Sequence, residues 1–311
     1  MFKELLSCFG RIEEPRQCGK VEHRLIDILA ITVCAVLTHA ESFEDIALYG
    51  KHKETWLREF LELPSGIPSH DTFRRVFMLI DANKFEQCFL SWTRAVFTRS
   101  DKNQLHHIAV DGKTMRRSFD RSKGTSPLHV VSAFATQSGL TLAQRVIAEK
   151  SGETEALIPL LEGLELSGAL ISLDALYARK SLAQDIVERG ADYLLALKRN
   201  NKRDHAYVVE FFREHAFDKR ATMQTVFDAF DETHGRLVRR RVFVTSEPEL
   251  IEKLDDWAHL AQIIAVETIY SVNHAHGGER GSITSDIRYF LTSSKESGQV
   301  LAAAVRDHWS I

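Results

Sequence analysis

Cysteine is scarce in this chain: Cys8, Cys18, Cys34 and Cys88 are the four present, and no Cys-x-x-Cys pair occurs among them. That set is too small and too lopsided for a disulfide framework, and a thiolate zinc site would lack its spacing. A reducing compartment is therefore expected. A long apolar run is missing as well. The most extended one, Leu25 to Leu37, is interrupted by Asp27 and Thr32 and falls short of the roughly 18 residues that a membrane span needs. The opening Met-Phe-Lys-Glu-Leu-Leu carries an acid and no small-residue cleavage site, so no secretory leader and no membrane partner are expected, and the expected location is the cytoplasm. Neither Gly-x-x-x-x-Gly-Lys nor Gly-x-Gly-x-x-Gly is found, which leaves a nucleotide cofactor without support. Excess charge of one sign is lacking too: 40 Lys+Arg stand against 43 Asp+Glu, a net charge of −3. Such a protein does not coat nucleic acid by bulk charge, and any grip on phosphate must come from local basic patches.

What is present suits an ordinary globular chain. Its 311 residues are 44% hydrophobic and 27% charged, which excludes a disordered or low-complexity polypeptide and leaves room for one large domain or two ordinary ones. The first hundred residues read as helical, with Leu25, Ile28, Leu29, Val33 and Val36 recurring at helix spacing. After the turn-rich Leu63–Asp71, either Ser69 or Asp71 can cap a helix that turns Phe73, Val76 and Phe77 inward. A polar stretch, Arg99 to Gln104, then separates a domain spanning 1–100 from one spanning 101–311.

The pattern changes beyond that boundary. His107–Asp111, Leu128–Thr136 and Leu140–Ala148 read as strands, the last two joined by a turn at Ser138-Gly139. A helix through Leu157, Leu160 and Leu161 follows, then a strand over Ala169–Asp174, a helix through Ile186, and a strand over Asp192–Lys198. Strands in hairpins followed by strands alternating with helices predict an α/β fold with a mixed sheet. Further strands are expected at Met223–Phe227, Arg239–Thr245, Ala261–Tyr270 and Asp286–Thr292, a mainly β insertion ahead of a helical run over Gln299–Ile311.

Two aspartates stand at the ends of apolar strands: Asp111 after Ile-Ala-Val and Asp174 after Leu-Ile-Ser-Leu. In sheets of this kind, ligands gather outside the carboxyl ends of the parallel strands. Two carboxylates there can hold Mg²⁺ against a phosphodiester, since that ion takes one or two carboxylates plus phosphate oxygens. A plainer role stays open, in which each Asp caps the turn after its strand. Basic residues lie nearby in sequence: Lys113, Arg116, Arg117, Arg121 and Lys123; Lys198, Arg199, Lys202 and Arg203; and Arg236, Arg239, Arg240 and Arg241. They are candidates for phosphate contact along a duplex, with a solvated charged face as the alternative. Arg74 and Arg75 are weaker candidates on the capped N-terminal helix. Ser69-His70-Asp71 is set aside, because neighbours in a helix cap cannot easily form a catalytic triad.

Several runs in order resemble one family. Ile108-Ala-Val-Asp-Gly-Lys-Thr-Met-Arg-Arg-Ser118, Pro127-Leu-His-Val-Val-Ser-Ala133, Glu149-Lys-Ser-Gly-Glu153, Leu173-Asp-Ala175 and Ala191-Asp-Tyr-Leu-Leu-Ala-Leu-Lys198 are similar to segments of the H-repeat-associated insertion-sequence transposases. Gly66–Phe77 and Cys34–Leu37 resemble that family's N-terminal domain. The resemblance implies an RNase H-like core with an Asp-Asp-Glu triad and Mg²⁺ or Mn²⁺. It implies cleavage of double-stranded DNA at element ends, strand transfer to a target, and self-association on DNA. Asp111 and Asp174 match the first two acids, as catalytic and metal-binding residues. The third follows a His-Trp-x-Ile motif in the family. His308-Trp309-Ser310-Ile311 matches it, so the glutamate is expected just after Ile311, and the catalytic domain is expected to be incomplete at its C-terminus. An inactive derivative that binds DNA or partner subunits without cutting stays open, as does a different metal-dependent phosphohydrolase.

Overall fold

A computed structural model of the protein describes residues 2–17, 19, 21–97, 106–115, 118, 127–147, 153–217, 223–233, 236–271 and 283–310. The chain forms two units, residues 1–102 and 103–311. In the first, the described residues form five helices: α1 (Phe2–Phe9), α2 (Leu25–Leu37), α3 (Phe43–Leu57), α4 (His70–Leu79) and α5 (Ala82–Phe97). Helix α2 is apolar on nearly every face and buries Ile28, Leu29, Ala30 and Ile31 completely, as befits the central element of a helical unit. Its Asp27 is buried and accepts the Leu63 N–H at 3.1 Å, which ties the loop ahead of α4 to the centre. Of the two candidate caps for α4 it is Ser69 that serves, its Oγ accepting the Thr72 N–H at 3.3 Å. Arg74 and Arg75 face solvent on that helix.

Among the described residues, the second unit is built on one nine-stranded mixed sheet. In chain order it runs β1 (His106–Thr114), β2 (His129–Ala135), β3 (Leu140–Ile147), α6 (Glu153–Glu162), β4 (Ala169–Leu173), α7 (Lys180–Glu188), β5 (Asp192–Leu197) and α8 (Lys202–Phe212). It continues through β6 (Phe227–Thr233), β7 (Arg236–Thr245), α9 (Pro248–Glu252), β8 (Gln262–Ser271), β9 (Ile283–Thr292) and α10 (Gly298–Asp307). The strand order is β3-β2-β1-β4-β5-β9-β8-β7-β6. Strands β1, β4 and β5 are parallel, and every other neighbouring pair is antiparallel. The hairpins come first and the helix-linked parallel strands follow, which is the mixed α/β architecture expected for an RNase H-like core. Strand β4 is buried at all five positions, the continuous apolar run that a parallel strand covered on both faces requires.

The residues after β5 extend the same sheet by four antiparallel strands. The first of them lies later than the sequence pattern suggested: Met223–Phe227 is not a strand apart from its last residue, and β6 begins at Phe227. Acidic residues are poor strand formers by themselves. Here Asp228 is matched by Arg239 of the adjacent β7, with bonds of 2.8 and 2.6 Å. The C-terminal helix is likewise shorter than expected, α10 giving way to a 3₁₀ turn over His308–Ser310. One face of α10 (Leu301, Ala302, Ala304, Val305) packs against Leu170, Leu194, Ile264 and Phe290 from four neighbouring strands. That packing carries the 3₁₀ turn to the carboxyl ends of the parallel strands.

Candidate active site

The register of the two central strands places the acids. In the β1–β4 ladder, His107 pairs with Leu170, Ala109 with Ser172, and Val110 with Leu173. The next residue on β1 is Asp111, and the residue directly after β4 is Asp174. Strand neighbours lie about 4.8 Å apart, and paired positions of a parallel ladder share a face. By the two-residue period, Asp111 shares its face with Ala109 and His107, and Asp174 shares it with Ser172 and Leu170. Leu170 packs in the cluster with α10, so both aspartates belong to the face on which the C-terminal helix lies.

Asp174 begins a 3₁₀ turn, Ala175–Tyr177, and its Oδ1 accepts the Ala175 N–H at 2.7 Å. The capping role is therefore real, and it does not exhaust the carboxylate. The same oxygen lies 3.1 Å from the Lys198 ammonium, which arrives from the end of β5. Burial works against ionisation of Asp174, but the Ala175 N–H and the Lys198 charge together outweigh it and hold its carboxyl below the usual range. The turn is braced from the next strand, since Asn200 Nδ2 donates to the Ala175 carbonyl at 2.6 Å and Asn201 Nδ2 to that of Ala178 at 2.9 Å.

Beneath the acids runs a buried polar chain that sequence reasoning missed. Thr136 Oγ1 lies 3.0 Å from His107 Nδ1, His107 Nε2 lies 2.8 Å from Ser172 Oγ, and Ser172 Oγ lies 2.8 Å from His308 Nδ1. His107, Ser172 and His308 are all buried. Burial pushes His107 down to about 4, helped by the neighbouring His308 and opposed by Asp307. Burial also holds His308 below the usual imidazole range, against the pull of Asp111 and Asp174. One ring thus feels both carboxylates. The His-Trp motif was the available signal for His308; nothing local marked His107 or Ser172.

A cleft of 610 Å³ opens on this edge, lined by Asp174, Lys198, Arg199, His205, Arg288 and Trp309 among others. Trp309 is exposed, with the Arg288 guanidinium 5.2 Å from its ring centre. An adjoining cleft of 460 Å³ includes Arg240, Arg288, Arg306 and Trp309. The other basic candidates are dispersed. Lys113 is exposed at the outer end of β1. Arg239 is engaged by Asp228, and its guanidinium lies 5.2 Å from the Phe230 ring centre. Arg236 begins β7, but its side chain lies outside the described residues, as do Arg116 and Arg117 altogether. Arg203 and Lys180 share Asp256.

The donors at the strand ends suit a hard cation. Two carboxylates meet the need of Mg²⁺ for one or two such ligands completed by phosphate oxygens and water, and the Lys198 ammonium against Asp174 shows that a positive charge is accommodated there. Among the described residues no three His, Cys, Asp or Glu side chains converge as a complete metal-ligand set. No helix among the described residues is long and apolar enough to cross a membrane.

Comparison with known proteins bears on the whole chain. The family model described as Transposase DDE domain matches residues 102–311, and the one described as DDE_Tnp_1-associated matches residues 6–93. An uncharacterized protein from the dhlA 3′ region of Xanthobacter autotrophicus is 39% identical over 92% of each chain. YhhI of Escherichia coli (strain K12), provisionally named an H repeat-associated transposase, is 34% identical over 99% of this chain and 80% of its own. YbfD of the same strain, named likewise, is 36% identical over 80% of this chain and 97% of its own. A solved piggyBac transposase synaptic complex with hairpin DNA aligns at 11% identity over 94% of this chain and 57% of that one. Its TM-score of 0.34 is too low to establish a shared fold. On the family models and the curated relatives together, this chain is a member of the DDE transposase family.

Proposed function

We propose that the protein acts on an insertion sequence, with its second unit as the domain that cleaves double-stranded DNA at the element ends and transfers the strand to a target. The observation that supports this reading is the register of β1 and β4, whose last paired positions, Val110 and Leu173, are each followed directly by an aspartate. Asp111 and Asp174 would hold Mg²⁺ or Mn²⁺. The chemistry such ions would supply when bound is activation of the attacking oxygen and stabilisation of the leaving one. The chain's own groups do the rest. The Ala175 N–H and Lys198 together hold the Asp174 carboxyl below the usual range, and Lys198 with Arg199 and Arg288 lines the cleft with positive charge for a phosphodiester. Lys113, Arg116, Arg117, Arg236 and Arg240 are the further candidates for backbone contact, Arg239 being held by Asp228, and self-association would bring two element ends together.

The test is nicking of a supercoiled plasmid carrying candidate terminal repeats, in Mg²⁺ and in Mn²⁺. The expected result is metal-dependent cleavage that Asp111→Asn and Asp174→Asn abolish while both variants still bind DNA. Cleavage that survives both substitutions would sink the two-aspartate site.

A further inference from the structure

The rung of the sheet that carries Asp111 runs on across two further strands. Asp111 pairs with Ser132 of β2, and Ser132 pairs with Gln144 of β3. Partners across a ladder show their side chains on one face, with Cβ atoms about 5 Å apart. Asp111, Ser132 and Gln144 therefore form a polar row at right angles to the strands, and Gln144 stands about 10 Å from Asp111. The row is accessible. On β2 the alternate residues Val131, Ala133 and Ala135 are buried, whereas Val130, Ser132 and Phe134 are half-buried, and Gln144 is exposed. The other flank of the acids differs in kind. There Lys198, Arg199 and Arg288 line the cleft with Asp174, so one side offers cations and the other neutral hydrogen-bonding groups.

Gln144 Nε2 donates to Ser132 Oγ at 3.2 Å. A hydroxyl has one hydrogen and two lone pairs. With a lone pair taken by Gln144, the Ser132 hydrogen is turned away from it and meets no acceptor among the described residues. An oriented donor thus stands open on the rung of Asp111. Its match is an anionic oxygen, because a hydrogen bond to a charged acceptor is roughly twice as strong as a neutral one. On the reading of Asp111 and Asp174 as the pair that faces a scissile phosphate, the anionic oxygens along the row belong to the same DNA strand. We propose that Ser132, oriented by Gln144, binds a backbone phosphate adjoining the scissile one, its hydroxyl donating to a non-bridging oxygen. This rests on that reading and extends the site from β4 and β1 out to β3. Ser132 is the binding residue and Gln144 the positioning residue. Because both are neutral, the contact releases no counterion and adds nothing to the salt dependence that basic residues create.

The test uses the full chain without divalent metal and a duplex carrying one candidate terminal repeat. Affinity is read by fluorescence anisotropy at several salt concentrations. Ser132→Ala should bind about tenfold more weakly, as for loss of one hydrogen bond to a charged group, with the salt slope unchanged. Gln144→Ala should weaken binding in the same sense by a smaller factor. The double variant should bind no more weakly than Ser132→Ala alone, because Gln144 acts through Ser132. Ser132→Thr keeps the hydroxyl in a residue that suits a strand and should retain wild-type affinity, while Ser132→Val, of the same shape without the hydroxyl, should match Ser132→Ala. Ethylation interference on the same duplex should reveal one backbone phosphate near the element end that matters to the wild-type chain and not to Ser132→Ala. Wild-type affinity in Ser132→Ala and Ser132→Val overturns the proposal, and so does a reduced salt slope in either. Additive losses in the double variant overturn the role of Gln144. If Ser132→Ala does not fold, the contrast between Ser132→Thr and Ser132→Val decides. No binding of the duplex by the wild-type chain would overturn the DNA reading itself, and this inference with it.

Discussion

Lys198 holds its ammonium 3.1 Å from Oδ1 of Asp174, each residue standing at the end of one of two neighbouring parallel strands. The pair is half-exposed, so its value to stability is small and its meaning is electrostatic. The ammonium occupies ground that a divalent cation or a phosphate would contest. Lys198→Gln should therefore do two opposite things. Mn²⁺ affinity without DNA should rise a few-fold, because a competing positive charge is gone. DNA affinity should fall for all sequences, with the salt slope reduced by about 0.9 if one phosphate contact is lost. A titration at several salt concentrations checks it; an unchanged slope would leave Lys198 as a partner of Asp174 alone.

Acid should weaken the fold through His107. Its ring is pushed to about 4 in the folded chain, against roughly 6.5 when unfolded. A depressed histidine favours the folded state fully above the unfolded value, and that contribution is lost as pH falls toward the folded one. Linkage puts the loss from this one group at about 2 kcal/mol by pH 5. His308, lowered in the same direction, adds to it with the same sign. Urea denaturation at pH 7.5, 6 and 5 measures the slope, and His107→Gln should flatten it. Equal stability across that range in the wild-type chain would contradict a neutral buried His107.

Much of this architecture is legible in the sequence, and the exceptions share a cause. The strands ending at Asp111 and Asp174 announce themselves as apolar runs closed by an acid, and the helix face of Leu157, Leu160 and Leu161 by its spacing. Strand β6 did not, because Phe-Asp-Ala-Phe-Asp-Glu-Thr is held by partners far along the chain, with Asp228 matched to Arg239 of β7. The polar chain under the site is the same kind of case. Thr136, His107, Ser172 and His308 come from four segments, and the longest-range hydrogen bond among them, Ser172 to His308, spans 136 residues. Local pattern cannot show a contact that only the ladder register creates.

Arg239 separates a structural cation from one available to DNA. Its guanidinium makes two bonds to Asp228, both partners half-buried at most. A charge already matched at that distance adds little to the field a duplex meets. Arg239→Gln should change stability little, as for other solvent-exposed ion pairs, and leave the salt slope of DNA binding nearly unaltered. Arg240, which lines the cleft shared by Arg288 and Trp309, is the better candidate, and Arg240→Gln should reduce the slope by about 0.9. If the two variants behave in reverse, the phosphate path runs along the other face of β7.

The final expectation concerns the third carboxylate. His308 already lies within the field of both aspartates, and α10 packs firmly against the sheet on its way there. A residue four positions after His308 in a continuing helix lies one turn further along the same face, about 5.4 Å away. A glutamate placed directly after Ile311, with enough helix behind it to hold its geometry, would therefore be brought to the edge occupied by Asp111 and Asp174. Mg²⁺ tolerates incomplete coordination poorly, and removing one charged member of a preorganised site costs powers of ten in rate. With Glu directly after Ile311, plasmid nicking should be Mg²⁺-dependent and abolished by Asp174→Asn. Gln in place of that Glu keeps the helix and removes the charge, so it should lower nicking to background. Nicking by the Gln form as fast as by the Glu form would mean that another residue supplies the third ligand.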